Sequence, residues 1–167
     1  MNVDGGFMKL YLKQKVFSFS DKYDVFDENE NVIYNGEAKL FSFGAKIRLL
    51  DNMGEEKFYI EQKLMRFLPE YHIFRGEVLC AVVKKEFSFF TPKINVSSDY
   101  GEFVILGDFF SMNFSVECNG EYIGCINKKW LSWGDTYELD ISDSTDPAFF
   151  CSLVIAIDNC LHNENNN

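Results

Sequence analysis

The sequence has few of the residues that interrupt or cross-link a chain. It contains three prolines among 167 residues, and no stretch rich in proline, glycine and serine divides it. A chain of this length without such a linker is expected to form one domain with a substantial core. The five cysteines contain no Cys-x-x-Cys pair and are odd in number, which is typical of reduced thiols in a cytosolic protein. They are Cys80, Cys118, Cys125, Cys151 and Cys160.

Several kinds of catalytic and metal chemistry lack the residues that they need. The two histidines, His72 and His162, are far apart and have no companion at ligand spacing, which argues against a zinc site. No Gly-x-Ser-x-Gly elbow and no glycine-rich phosphate loop with a following Gly-Lys-Ser/Thr is present. Cys151 lies in an apolar run and is expected to be a small packing side chain. We therefore expect a non-catalytic protein without a cofactor.

Positive charge is also scarce. The chain has 16 basic and 26 acidic residues, which gives a net charge of −10. Such a balance repels nucleic acid at long range, so a nucleic-acid partner is not expected. The sequence from Met1 has no basic segment followed by an apolar run, so it predicts no secretory signal. The expectation is a soluble cytoplasmic monomer whose ligand, a protein or a lipid, is unknown.

The most distinctive segment that is present is apolar on all sides. From Ala148 to Ile157 nine of ten residues are apolar, with Ser152 the exception. A helix built from such a segment has no polar face and must be surrounded by protein. Asp146 is suited to cap it and Pro147 to begin it, which predicts a helix over 147–161. A buried strand is the alternative, because Val154, Ile155 and Ile157 are β-branched, but the length favours the helix. The run is too short for a membrane span, which needs about 20 apolar residues.

Before this helix, apolar segments alternate with turn signals at short intervals, as in all-β proteins. Aromatic residues make up 17% of the chain, which also favours strands. We predict twelve strands, at 8–19, 22–27, 31–41, 45–50, 55–65, 70–75, 77–90, 94–98, 102–108, 112–118, 121–131 and 136–141.

One spacing pattern occurs three times. Ile60, Lys63, Tyr71 and Ile73 are matched 66 residues later by Ile126, Lys129, Tyr137 and Leu139, and 48 residues earlier by Leu12, Lys15, Tyr23 and Val25. A looser recurrence is the motif Lys-x-Phe-Ser-Phe, which starts at residues 15, 39 and 85. The pattern indicates a repeating unit of strand, lysine, aromatic turn and return strand.

These elements together predict a mainly β fold with one closed antiparallel barrel. A sheet of twelve strands curls, and closing it removes exposed edges. A barrel this wide cannot be filled by its own side chains alone, so the apolar helix would occupy the interior. We expect a flexible leader at 1–7, a single barrel domain at 8–161 with its central helix at 147–161, and a disordered polar tail at 162–167.

The chain resembles the LURP-one-related family, whose bacterial members are often called YxjI-like. The family lies within the tubby C-terminal-like superfamily, which also includes phospholipid scramblases. The resemblance is carried by MKLYLKQKVFSFSDKYDVFDENENVIYNGEAK, FYIEQKLMRFLPEYHIF, YIGCINKKWLSWGDTYELDI and LVIAIDN, which span nearly all of 8–159. It implies a twelve-stranded barrel around a hydrophobic C-terminal helix, and it carries no catalytic residues to this chain. It implies an intracellular tubby-like binding or interaction domain.

The alternative function is scramblase-like binding of phospholipid or phosphoinositide headgroups at a membrane surface. Scramblases are similar in having an acidic calcium segment before their hydrophobic helix, which makes Asp140, Asp143 and Asp146 weak calcium candidates. A solvated turn with a helix cap is the simpler interpretation of those three residues. Weak headgroup candidates are the basic residues at strand ends; the alternative is that these residues only protect strand ends and sheet edges. They are Lys15, Lys63, Lys85, Lys128 and Lys129, with Arg66.

Two further expectations concern single side chains. Phe67, Trp130 and Trp133 lie in turn regions of the repeating unit, and we expect them to pack at the barrel end. An exposed aromatic end would instead indicate a partner surface. Asp158 lies beside the apolar core, where a carboxylate needs a partner. We expect it to meet a lysine of the barrel rim or a backbone N–H.

Overall fold

The computed structural model is a closed barrel of twelve antiparallel strands that surrounds one α-helix. It describes residues 6–17, 20–39, 43–85, 93–108, 110–131 and 134–162. The fold therefore confirms the predicted class. The strands are β1 Phe7–Phe17, β2 Ser20–Phe26, β3 Val32–Ala38, β4 Lys46–Asp51, β5 Glu56–Gln62, β6 Glu70–Arg75, β7 Val78–Lys85, β8 Lys93–Ser98, β9 Gly101–Asp108, β10 Asn113–Cys118, β11 Glu121–Leu131 and β12 Gly134–Ser142, and helix α1 is Pro147–His162.

Each strand pairs with its neighbours in sequence, and β1 closes the barrel against β12. In that closing pair Phe7 lies opposite Ser142 and Lys13 lies opposite Thr136. Because every pair is antiparallel, the chain reverses direction at each connection. The connections after odd-numbered strands therefore lie at one end of the barrel, and those after even-numbered strands lie at the other.

Helix α1 is buried along almost its whole length. Phe149, Leu153 and Ile155 are each at most 1% exposed, and they pack against inward-facing strand residues such as Phe58 and Ile73. The one hydroxyl in the apolar run is satisfied locally, since Ser152 Oγ donates to the Ala148 carbonyl at 2.9 Å. Such a bond removes the cost of a buried polar group.

The threefold spacing pattern in the sequence corresponds to three equivalent hairpins. Leu12 pairs with Val25, Ile60 with Ile73, and Ile126 with Leu139, each pair within one odd–even hairpin. The tyrosine of each unit points inward and is at most 1% exposed; these are Tyr23, Tyr71 and Tyr137.

Two of these tyrosines hold the C-terminal part of the helix. The Asn159 side-chain amide donates to the Tyr23 hydroxyl at 2.8 Å, and the Tyr137 hydroxyl donates to the Asp158 carboxylate. Tyr23 has space for its ring because Gly36 lies opposite it, where an added Cβ would stand 2.9 Å from the Tyr23 Cβ. This hydroxyl is one partner of Asp158, and the expected contact with a rim lysine or a backbone N–H stays a prediction.

Two strands end earlier than expected, at Ala38 and Gln62 in place of 41 and 65. Both differences fall at the same end of the barrel. The predicted ends of β1 at 19 and of β7 at 90 lie outside the described residues. At the other end β1 already begins at Phe7 and pairs with β12. Residues 1–5 and 163–167, which include most of the predicted leader and tail, lie outside the described residues.

Candidate binding end of the barrel

The end formed by the connections after β1, β3, β5, β7, β9 and β11 is called the apolar end here, because its described connections expose large apolar side chains. Phe43, Phe67 and Phe110 are each at least 90% exposed, Met65 is fully exposed and Leu64 is half exposed. They come from three separate connections, 39–45, 63–69 and 109–112. The other end also exposes apolar side chains, among them Met53 at 85% and Val78 at 61%, but none of the described ones there reaches 90%. The side chains of these three connections are therefore candidates for an interaction surface.

The backbone beneath these side chains is tied together. In the connection between β5 and β6, the Lys63 N–H donates to the Glu70 carbonyl at 2.9 Å. That connection is joined to the neighbouring one through Gln62, whose N–H donates to the Ala45 carbonyl at 2.8 Å and whose side-chain oxygen accepts from the Ala45 N–H at 3.0 Å. The exposed tips are thus carried on hydrogen-bonded hairpins.

Met65 has an unusual backbone at the tip of its hairpin. Its φ is +60°, in the left-handed region that glycine and asparagine adopt more readily than methionine. Its side chain makes no compensating packing, since it is fully exposed. Met65 therefore keeps an apolar side chain in solvent on a backbone that asparagine adopts more readily.

The structure places most of the headgroup candidates at this end. Lys15 is bonded to Asp24, Lys63 to Glu61 at 2.8 Å, and Arg66 lies 3.7 Å from Glu70. Lys129 is exposed at the end of β11. Lys85, the last residue of β7, is half-buried.

Lys128 differs from the other basic candidates. It lies opposite Tyr137 on the inner face, is 6% exposed, and its Nζ stands 5.6 Å from the centre of the Tyr137 ring. The strand alternation that turns Lys129 outward turns Lys128 inward. Lys128 therefore does not contribute to the outer rim.

A buried carboxylate supports the wall below the apolar hairpin. Glu70 is 8% exposed and bonds the His72 ring at 2.7 Å, with Lys84 at 3.7 Å. Burial alone would raise the pKa of the Glu70 carboxyl, but the His72 hydrogen bond and the charges of Lys84 and Arg66 bring its pKa below the ordinary value. As expected from strand alternation, His72 faces outward between the inward Tyr71 and Ile73.

The opposite end, formed by the connections after even-numbered strands and by 143–146, is called the acidic end. All the charged residues in these connections are acidic, namely Asp27, Glu28, Glu30, Glu55, Glu77, Asp99, Asp143 and Asp146. In the described parts of the apolar-end connections, all the charged residues are basic, namely Lys39, Lys63 and Arg66. The described connections of the two ends thus differ in the sign of their charge.

Two of the three calcium candidates are bonded to other protein groups, and the third is exposed. Asp146 caps the helix, accepting from the Ala148 N–H at 2.9 Å, and its second oxygen lies 2.5 Å from Arg75. Asp140 is 3.8 Å from Lys9 and accepts from the Cys125 thiol at 3.4 Å, while Asp143 is exposed. Among the described residues no group of three or more His, Cys, Asp or Glu side chains is arranged to hold a metal. Calcium binding here stays a prediction.

The aromatic candidates have different outcomes. The expectation that Phe67 packs against the barrel end is wrong, because its side chain is 95% exposed. The Trp130 side chain and the whole of Trp133 lie outside the described residues. Sequence reasoning also missed Phe43, Met65 and Phe110 as surface residues, although the recurring Lys-x-Phe-Ser-Phe signal runs through the connection that carries Phe43.

A closed antiparallel barrel around one apolar helix is the fold of this chain, and comparisons with known proteins give its family. The chain belongs to the LURP-one-related family, whose model matches residues 8–158. It is 35% identical over 158 residues to the uncharacterized protein YxjI of Bacillus subtilis, covering 94% of this chain and 96% of that protein.

The fold also resembles a solved structure. An X-ray structure of a protein from Arabidopsis thaliana superposes with a TM-score of 0.67 at 16% identity, covering 93% of both chains. At that identity the likeness concerns the fold alone. Within the described residues, no helix is both long and apolar enough to cross a membrane.

Proposed function

We propose that the protein is a non-catalytic binding module of the cytoplasm that docks onto a lipid bilayer through its apolar end. The observation that carries this proposal is the group of exposed apolar side chains on three connections at that end, Phe43, Leu64, Met65, Phe67 and Phe110. The five thiols are free, which supports a reducing compartment.

A bilayer fits this surface because the exposed apolar side chains stand on three separate connections between strands. Side chains of this kind can enter the headgroup region individually, as phenylalanine and leucine do in interfacial proteins. Fully burying one of them gives about 1.5–3 kcal/mol. Partial insertion of several tips would therefore give measurable adsorption without a spanning segment.

The non-catalytic part of the proposal is supported by where the reactive groups lie. His72 is bonded to Glu70. Cys151 is fully buried in helix α1, where burial raises the pKa of its thiol and keeps it in the unreactive protonated form. The barrel interior is occupied by the helix and its apolar contacts.

Vesicle flotation of the purified protein tests the proposal, with neutral and anionic vesicles and with and without Ca²⁺. Met65→Asn removes an apolar tip and places at φ +60° a residue that tolerates that backbone better. Its stability should be unchanged or higher, while the fraction bound to vesicles falls about ten-fold or more.

The matched control is Met53→Asn, because Met53 is 85% exposed at the acidic end. It should bind vesicles like the unmodified protein. Equal losses in the two variants, or no binding of the unmodified protein to any vesicle, would contradict membrane docking. The second result would leave the apolar end as a surface for a protein partner.

A further inference from the structure

We infer that the apolar end docks end-on onto an anionic bilayer, and that the surrounding basic residues recognise the density of negative lipid charge and not one particular headgroup. This inference rests on the proposed membrane docking and names its lipid class and orientation.

Exposed basic side chains lie near the apolar tips in the chain. Arg66 stands between the two exposed side chains Met65 and Phe67, and its own side chain is 58% exposed. Lys39 is exposed in the neighbouring connection between β3 and β4. Lys129 is exposed near the end of β11, on the other side of the barrel and beside the connection that carries Phe110. Cations interleaved with apolar tips are complementary to an anionic interface, which offers negative headgroups above an apolar layer.

The wall beside the tips also provides room for headgroups. An open groove of about 700 Å³ begins at Leu68 in the apolar hairpin, and it is lined by Lys84, Lys85, Asn95 and Glu102. The Lys84 side chain is 59% exposed. The groove mixes two lysines with a carboxylate and with uncharged groups. Such a lining favours general electrostatic attraction of anionic lipid headgroups. It is less suited to a specific site that binds one multiply charged headgroup.

The net charge of −10 does not prevent this docking, because eight of the acidic residues lie in the connections at the opposite end, and carboxylates near the apolar end such as Glu61 and Glu70 are ion-paired. Strands of six or seven residues at about 3.3 Å per residue, tilted as in other barrels, separate the two ends by about 15–20 Å. The Debye length at physiological salt is about 8 Å, so the acidic end is largely screened from a surface at the apolar end. The same separation favours one orientation, with the acidic end directed away from the membrane.

The tests use vesicles of phosphatidylcholine alone and vesicles that also contain phosphatidylglycerol, phosphatidylserine or a phosphoinositide at equal total negative charge. We expect strong binding to all three anionic mixtures at similar levels, much weaker binding to phosphatidylcholine alone, and a decrease as salt is raised. Arg66→Gln and Lys39→Gln should each weaken binding to anionic vesicles about two- to five-fold. Arg48→Gln, a matched loss of charge next to Glu56 and away from the tips, should have no such effect.

Orientation is tested with a photoreactive phenylalanine analogue at position 67 or at position 53. Crosslinking to lipid from position 67 and not from position 53 is expected. Equal binding to neutral and anionic vesicles, a strict preference for the phosphoinositide at matched charge, or crosslinking from position 53 would overturn this inference and leave the docking proposal standing. Failure to bind every vesicle would instead contradict the docking proposal itself.

Discussion

The Tyr137 hydroxyl donates a hydrogen bond to the Asp158 carboxylate inside the barrel, and this contact joins strand β12 to helix α1. Asp158 is 2% exposed and Tyr137 is 1% exposed. A buried carboxylate is costly without hydrogen bonds, so the tyrosine both satisfies the charge and fixes the helix in the barrel.

Tyr137→Phe should therefore lower the free energy of unfolding by about 1–3 kcal/mol while leaving the barrel folded. The ring and its packing are retained, and only the donor to Asp158 is lost. Urea denaturation followed by circular dichroism measures the change. Tyr59→Phe is the control, because Tyr59 lies half-buried on the outer wall; a loss as large there would show that the Asp158 bond is not the cause.

Asp146→Ala should destabilise the protein by about 1–2 kcal/mol, because it removes the helix cap at Ala148 and Phe149. It also removes the ion pair with Arg75, whose guanidinium lies 4.7 Å from the centre of the Phe58 ring. Asp143→Ala, three residues earlier in the same connection, should change the midpoint of thermal unfolding much less. Equal shifts in the two variants would argue against the cap.

Ile155→Asp should prevent folding, because a fully buried unpaired charge costs several kcal/mol against a total stability of about 5–15 kcal/mol. Ile155→Val is its matched control and should fold with a loss of about 0.5–1.5 kcal/mol. Cooperative melting of an Ile155→Asp variant that stays in solution would disprove the burial of this helix face.

Two acidic turns should make stability fall at low pH. Hydrogen bonds from the Asn31 side chain and backbone lower the pKa of the Asp27 carboxyl below its ordinary 3.8, and those from the Glu55 and Met53 N–H groups do the same for Asp51. A lowered folded pKa gives stability that is present above the unfolded pKa and is lost as pH falls through the folded pKa.

As the pH falls from about 4 through the lowered folded pKa values, Asp27→Asn with Asp51→Asn should therefore flatten the decline in the free energy of unfolding. Denaturant titrations over this range test the slope, with Asp99→Asn as the control. An unchanged slope in the double variant would mean that these two carboxyls do not contribute to acid unfolding.

Most of the fold could be predicted because its signals are local and repeated. The helix has a cap, a proline at its first position and no polar face, and each hairpin of the three repeated units has the same register. The strand ends at the apolar end could not be placed, because Phe and Leu favour strands as well as exposed tips. Burial depends on which side of a hairpin faces solvent, which one sequence does not specify.

The repeated units of the sequence contain a signal for the inward position of Lys128. In the repeated units Gln14 and Gln62 precede Lys15 and Lys63 and lie opposite Tyr23 and Tyr71, just as Lys128 precedes Lys129 and lies opposite Tyr137. Aligning the units would have placed Lys128 inside. No such alignment reveals the exposure of Phe67 or Phe110, because the connections differ in length.

The path of the chain through the barrel determines where an attached label would sit. Strand β1 begins at the acidic end beside Ser142, whereas helix α1 runs back through the interior and brings Cys160 within 3.6 Å of the Pro69 carbonyl at the apolar end. A fluorescent protein or surface tether joined before β1 would thus leave the apolar end accessible. The same fusion joined after α1 would lie next to the apolar end and block access to it. A protease site in the linker would make this block removable.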